Sequence, residues 1–162
     1  MTAEGAYSIR RAQARDADTL GTLGVSLMRA HFVFDPQRFL SPGEHADRGY
    51  ASFLRAQLDN NDSAIFVAEM DGRTVGYVFA GLEPLSWKEL RGPAGFIHDV
   101  VIEEPARGAG AGTALVDAAM AWLRDRGAPR VLLWTAEHNQ GAQRLFERLG
   151  FRRTMVEMTR EL

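Results

Sequence analysis

Residues 107 to 112 read Arg-Gly-Ala-Gly-Ala-Gly, and a regular helical pattern of apolar residues follows at once. A glycine-rich turn that feeds a helix start makes an anion site. The first helical N–H groups lack internal acceptors, the helix dipole adds partial positive charge, and glycine puts no Cβ between backbone and anion. Arg107 adds a guanidinium fork suited to phosphate oxygens. A ligand carrying a diphosphate explains all six residues together. A P-loop would need a Gly-Lys-Ser/Thr ending, and no lysine lies in this stretch; a dinucleotide fingerprint would need Gly-x-Gly-x-x-Gly, whereas the glycines fall at 108, 110 and 112. The plain alternative is a flexible turn rich in alanine and glycine.

The elements that must position this turn follow from the apolar periodicity. Tyr7 to Ala12 alternates as a short strand. Asp16 or Asp18 can cap a helix with Leu20, Leu23, Leu27 and Ala30 on one side, fading near His31. His31 to His45 reads as irregular, broken by Pro36, Pro42 and Gly43, and a second helix is expected from about Asp47 to Asn60. Ala64–Met70 and Thr74–Leu82 are strands joined at Asp71-Gly72, a strong hairpin signal. Gly95–Ile102 is a further strand, and a helix is expected from about Gly108 to Arg126, stopped by Gly127. Val131–Thr135, Gln140–Leu149 and Phe151–Leu162 read as strand, helix and strand. The order is that of an α/β domain spanning 1–162.

Composition narrows the chemistry. The 162 residues contain no cysteine, which excludes a disulfide framework, a thiolate nucleophile and cysteine-ligated metal. A net charge of −2 without a basic stripe points away from nucleic acid. No apolar run approaches the ~20 residues of a membrane span, and the opening residues lack an apolar leader core, so a cytoplasmic protein is the expectation.

These features together resemble the GNAT superfamily of acyl-CoA-dependent N-acetyltransferases. In that family Arg/Gln-x-x-Gly-x-Gly/Ala follows the fourth strand and cradles the coenzyme A pyrophosphate; here FIHDVVI precedes Arg107, Gly108, Ala109, Gly110, Ala111 and Gly112. A second family motif, Asn-x-x-Ala-x-x-Leu-Tyr-x-x-x-Gly-Phe, is matched by Asn139, Ala142, Leu145, Gly150 and Phe151, with Phe146 where the family carries tyrosine. The resemblance implies a mixed sheet of six to seven strands, splayed between strands four and five and flanked by about four helices. It implies acetyl-CoA as acyl donor, no metal, an amine-bearing small molecule or peptide as acceptor, and a possible homodimer. It places cofactor contacts at Val100, Val101, Ile102, Arg107 to Gly112, Thr113, Asn139, Ala142 and Phe146. A main-chain N–H near Val101 would face the thioester carbonyl. Phe146 has no proton to give a departing thiolate, so the second reading is a non-catalytic acyl-CoA sensor.

Transfer to an amine requires a neutral nucleophile, a donor for the carbonyl oxygen and a departing thiolate. His98 and Asp99 are the candidate bases. Strict alternation would let only one of the two face the cleft. Imidazole, with an ordinary pKa near ~6.5, suits the role; the alternatives are a hydrogen-bonded strand histidine and an aspartate that holds a loop. By resemblance, His31 to His45 and Leu82 to Gly92 line the acceptor side. His31, Phe34, Asp35 and Trp87 are the candidate acceptor residues there, with Phe32 and Phe39 as further walls and Glu44, Glu83 and Glu89 as further acids for a cation.

Overall fold

A computed structural model describes residues 7–162; the first six, part of the leader reading, lie outside them. Five strands form one sheet in chain order: β1 (Tyr7–Arg11), β2 (Ser63–Met70), β3 (Arg73–Glu83), β4 (Ala94–Ile102) and β5 (Val131–Leu133). The first three pairings are antiparallel and β4–β5 is parallel. The helices are α1 (Ala17–Phe34), α2 (Ala46–Leu58), α3 (Ala111–Asp125) and α4 (Gln140–Arg148). The β2–β3 turn at Asp71-Gly72 takes φ values of 51° and 74°, as the tight hairpin requires.

Period-two alternation sorts the sheet residues between two cores. Val78, Ala80 and Ile97 pack with Leu115, Val116, Ala119, Leu123 and Phe146 under α3 and α4. Tyr77, Phe79 and Val101 face the other way, onto Leu20, Leu23 and Leu54 of α1 and α2. Helices α1 and α2 approach so closely that the Tyr50 ring lies directly over Gly24; a Cβ there would sit 1.9 Å from a ring carbon.

The structure corrects four boundaries. The sheet has five strands, not six to seven. Helix α1 runs on to Phe34 rather than fading at His31, so His31 and Phe34 belong to a helix. Helix α3 starts at Ala111, not Gly108, because Gly108 and Gly110 hold φ values of 87° and 86° that cannot continue a right-handed helix. The alternating segment Phe151–Leu162 forms no strand. Arg153 instead donates to Glu147 and Gln143 of α4, and Arg38 binds Glu157, which hold this segment against helix and loop surfaces. Met155 and Met158 remain 80% and 90% exposed.

One ion network fastens the start of the fold. Arg10 on β1 reaches Asp16 through both Nη atoms, at 2.8 and 2.9 Å, and Glu69 on β2 at 2.8 Å. Asp16 is buried and also accepts from the Gln13 N–H at 2.7 Å. The Arg10 hydrogen bonds hold its carboxyl below the usual carboxylate range. A depressed folded pKa means a contribution that is complete above the unfolded value, ~3.9, and lost as pH falls below it. Asp16→Ala is expected to cost ~3 kcal/mol at pH 7. In urea melts at several pH values, the gap to wild type should narrow steadily below about pH 4.

Candidate acyl-transfer site

The site is organised by one extra residue in β4. Phe79 pairs with Asp99, yet the next residue, Ala80, pairs with Ile97. His98 is therefore bulged out of the β3–β4 ladder. A bulge bends its strand and raises the local twist, and β5 accordingly pairs only with Gly95, Phe96 and Ile97. Beyond Ile97, β4 runs to Ile102 with no neighbour on that side, which opens a wedge between β4 and β5.

The ladder shows which main-chain groups face the wedge. The Glu103 N–H donates to the Val75 carbonyl on β3 at 2.8 Å. Alternation then turns the Val101 N–H toward β3 as well, and turns those of Val100 and Ile102 to the open side. The Ile102 carbonyl on that side accepts from Arg107 Nε at 3.0 Å. Arg107 is thereby pinned beside the wedge. Next to it, among the described residues, the N–H groups of Gly108 to Thr113 have no main-chain acceptor. Gly110 is the N-cap of α3, and space beside Gly108 is open. This concave row of unpaired donors at a helix start fits a phosphate group, whose charge the dipole favours.

The second motif supports the opposite wall. Asn139 Oδ1 caps α4 by accepting from the Ala142 N–H at 3.2 Å. Ala142 packs against the core. Phe146 is buried there, its ring edge-on to Phe151 at 5.7 Å.

The bulge also overturns the expected alternation of His98 and Asp99. Asp99 takes hydrogen bonds on Oδ2 from Tyr50 at 2.5 Å and Tyr77 at 2.9 Å, on the α1–α2 face. The His98 ring lies against Phe79, of that same face, at 4.8 Å, and stacks on Phe96 at 5.6 Å. Both residues thus share one side of the sheet. Their surroundings differ. Asp99 is enclosed, and burial pushes its carboxyl above the usual range although both tyrosines pull the other way. Both tyrosine hydroxyls are pushed up, first by burial and then by the Asp99 charge. His98 instead borders a cavity of about 260 Å³ with Glu83, Glu89, Arg91, Phe96, Ile97 and Trp134. Its Nε2 lies 3.3 Å from Glu83 Oε1.

Of the residues read as acceptor-binding, Glu83 and Glu89 border this cavity, whereas His31, Phe34, Asp35 and Trp87 do not. His31 packs edge-on to Phe34 and Phe39, with Nδ1 2.9 Å from the Leu27 carbonyl. Asp35 Oδ1 is occupied by the N–H groups of Gln37 and Arg38, a local turn. Trp87 is 82% exposed and does not border the cavity. Trp134 and Phe96 supply the aromatic wall instead, in edge-to-face contact at 5.8 Å. The missed signal for Trp134 was its place just past the carboxyl end of a parallel strand, where α/β sheets put their ligands.

The chain matches the Acetyltransferase (GNAT) family model over residues 27–151. It belongs to this family. It is 31% identical over 145 residues to an uncharacterized N-acetyltransferase of Methanocaldococcus jannaschii, covering 90% of this chain and 60% of that protein. It is 36% identical over 96 residues to the mycothiol acetyltransferase of Thermomonospora curvata, covering 59% of this chain and 30% of that protein. The chain thus matches between 30% and 60% of the length of these curated relatives. An aminoglycoside N-acetyltransferase crystallised with CoA shares the fold, with a TM-score of 0.75 at 18% identity over 97% of this chain and 95% of that one. Among the described residues of this family member, no helix is long and apolar enough to cross a membrane.

The raised Asp99 carboxyl carries a definite sign. The folded state holds its proton to higher pH than the unfolded state, so wild-type stability falls, relative to a neutral isostere, as pH rises from about 4 through the folded value. An amide oxygen can still accept from both tyrosines. Asp99→Asn should therefore melt above wild type at pH 7, with the difference shrinking toward pH 4; a difference that grows on acidification would refute the assignment.

Proposed function

We propose that this chain is an N-acetyltransferase that moves an acetyl group from acetyl-CoA to a primary amine, with His98 as the base. The observation that carries this reading is the bulge, which puts His98, free main-chain donors and the phosphate-type cradle around one wedge. Acetyl-CoA would supply an activated thioester; the products are an amide and the CoA thiol.

The chain's own residues divide the work. Arg107 and the N–H groups of Gly108 to Thr113 bind the diphosphate. The N–H groups of Val100 and Ile102, rather than that of Val101, donate to the acyl carbonyl oxygen as it gains charge. His98 receives the proton shed by the amine. With Nε2 directed at Glu83, its Nδ1 is the nitrogen left to act as base. Asp99 is committed to Tyr50 and Tyr77 and serves as a positioning residue that anchors the bulge. Phe146 packs the α4 side of the wedge, and solvent protonates the thiolate. With a thiol pKa near ~8.5, a thiolate leaves tolerably at neutral pH without a dedicated acid.

Two measurements test this reading. Gly110→Asp adds a negative charge to the cradle and a side chain at a left-handed position. It should weaken CoA binding in calorimetry by at least ~2 kcal/mol, and unchanged affinity in the folded variant would refute the cradle. His98→Ala should lower kcat/KM by ~10²-fold with CoA affinity retained. An unaltered rate would place the base elsewhere.

A further inference from the structure

We infer that the cavity beside His98 selects acceptors that carry a second cationic group on a linear chain, and that Glu83 is the residue that reads it. This deepens the acetyl-transfer reading and rests on it for the position of the reacting nitrogen.

The argument starts from charge. Of the two carboxylates bordering the cavity, Glu89 is neutralised by Arg91. Arg91 also donates to the Pro84 and Gly92 carbonyls and lies over the Phe96 ring at 5.0 Å, so it braces the β3–β4 connection. Glu83 has a single contact, from one oxygen to His98. Its other oxygen has no partner among the described residues, and the side chain is only 37% exposed. Trp134, which borders the same cavity and is exposed, offers an indole face that attracts an ammonium or guanidinium. A half-buried carboxylate in a cavity with an open indole face favours a cation over a neutral hydroxyl of the same size.

Size narrows the acceptor further. At about 260 Å³ the cavity falls below the usual 300–1,000 Å³ of ligand sites. It suits a linear diamine or a lysine-like side chain better than a multi-ring amine.

The test uses calorimetric titration of the CoA-loaded protein with diaminopentane and with aminopentanol, which differ only in the distal group, alongside acetyl transfer to each. Diaminopentane should bind at least ~10-fold more tightly, as expected for one added charge-assisted contact. Glu83→Gln, whose amide oxygen can still meet His98, should bring the ratio close to one. Equal affinities in wild type, or a ratio unaltered in Glu83→Gln, would overturn the inference. Diamine binding that depends on Glu83 without transfer to any amine would uphold the subsite and overturn the transferase reading. Transfer to both amines at equal efficiency would do the reverse.

Discussion

A single residue inserted into β4 governs the functional half of this molecule. Because His98 has no partner on β3, the strand twists at the point where its pairing with β5 stops. Three things follow together. The sheet parts beyond Ile97, main-chain donors on one edge of β4 lose their partners, and His98 and Asp99 come to lie on one face. A regular ladder would have closed the wedge and sent the two side chains apart. The surrounding packing accommodates the irregularity. Tyr50 from α2 and Tyr77 from β3 grip Asp99, and Phe79 and Phe96 flank His98.

The phosphate-type cradle depends on that geometry too. Arg107 is oriented by the Ile102 carbonyl, which points into the wedge only because β5 has already turned away. The left-handed Gly108 and Gly110 then delay the start of α3 until Ala111, which leaves six successive N–H groups without a main-chain acceptor among the described residues. Two devices, a bulge and a delayed helix start, thus leave ordinary backbone with donors turned outward.

Much of this was legible in the sequence, and the failures are instructive. Asp71-Gly72 and Gly127 each prescribe local backbone through their own chemistry and were read correctly, whereas the Arg107–Gly112 turn was recognised but its helix was begun three residues early. The bulge left no such mark, because FIHDVVI alternates too weakly to reveal an extra residue. Reading strict period two therefore separated His98 from Asp99. Phe151–Leu162 failed for a different reason: its alternation describes a strand that would need an edge to join, and Arg38 and Arg153 hold it elsewhere. The acceptor side was the least legible. Glu83 was named among the acids for a cation, but Trp134 borders the same cavity from a strand end far along the chain, and no local pattern encodes a convergence of that kind.

The contact between Gly24 and Tyr50 gives the site a remote control for evolution. The phenol ring rests on a bare backbone, and its hydroxyl reaches across to Asp99, the neighbour of the bulged histidine. Any side chain at position 24 displaces that ring, loosens the grip on Asp99 and alters how firmly the bulge is held. The hold on the bulge is thus set partly by a residue on a packed helix far along the chain from β4. Changes between α1 and α2 therefore reach the bulge while the Arg107–Thr113 turn is left intact.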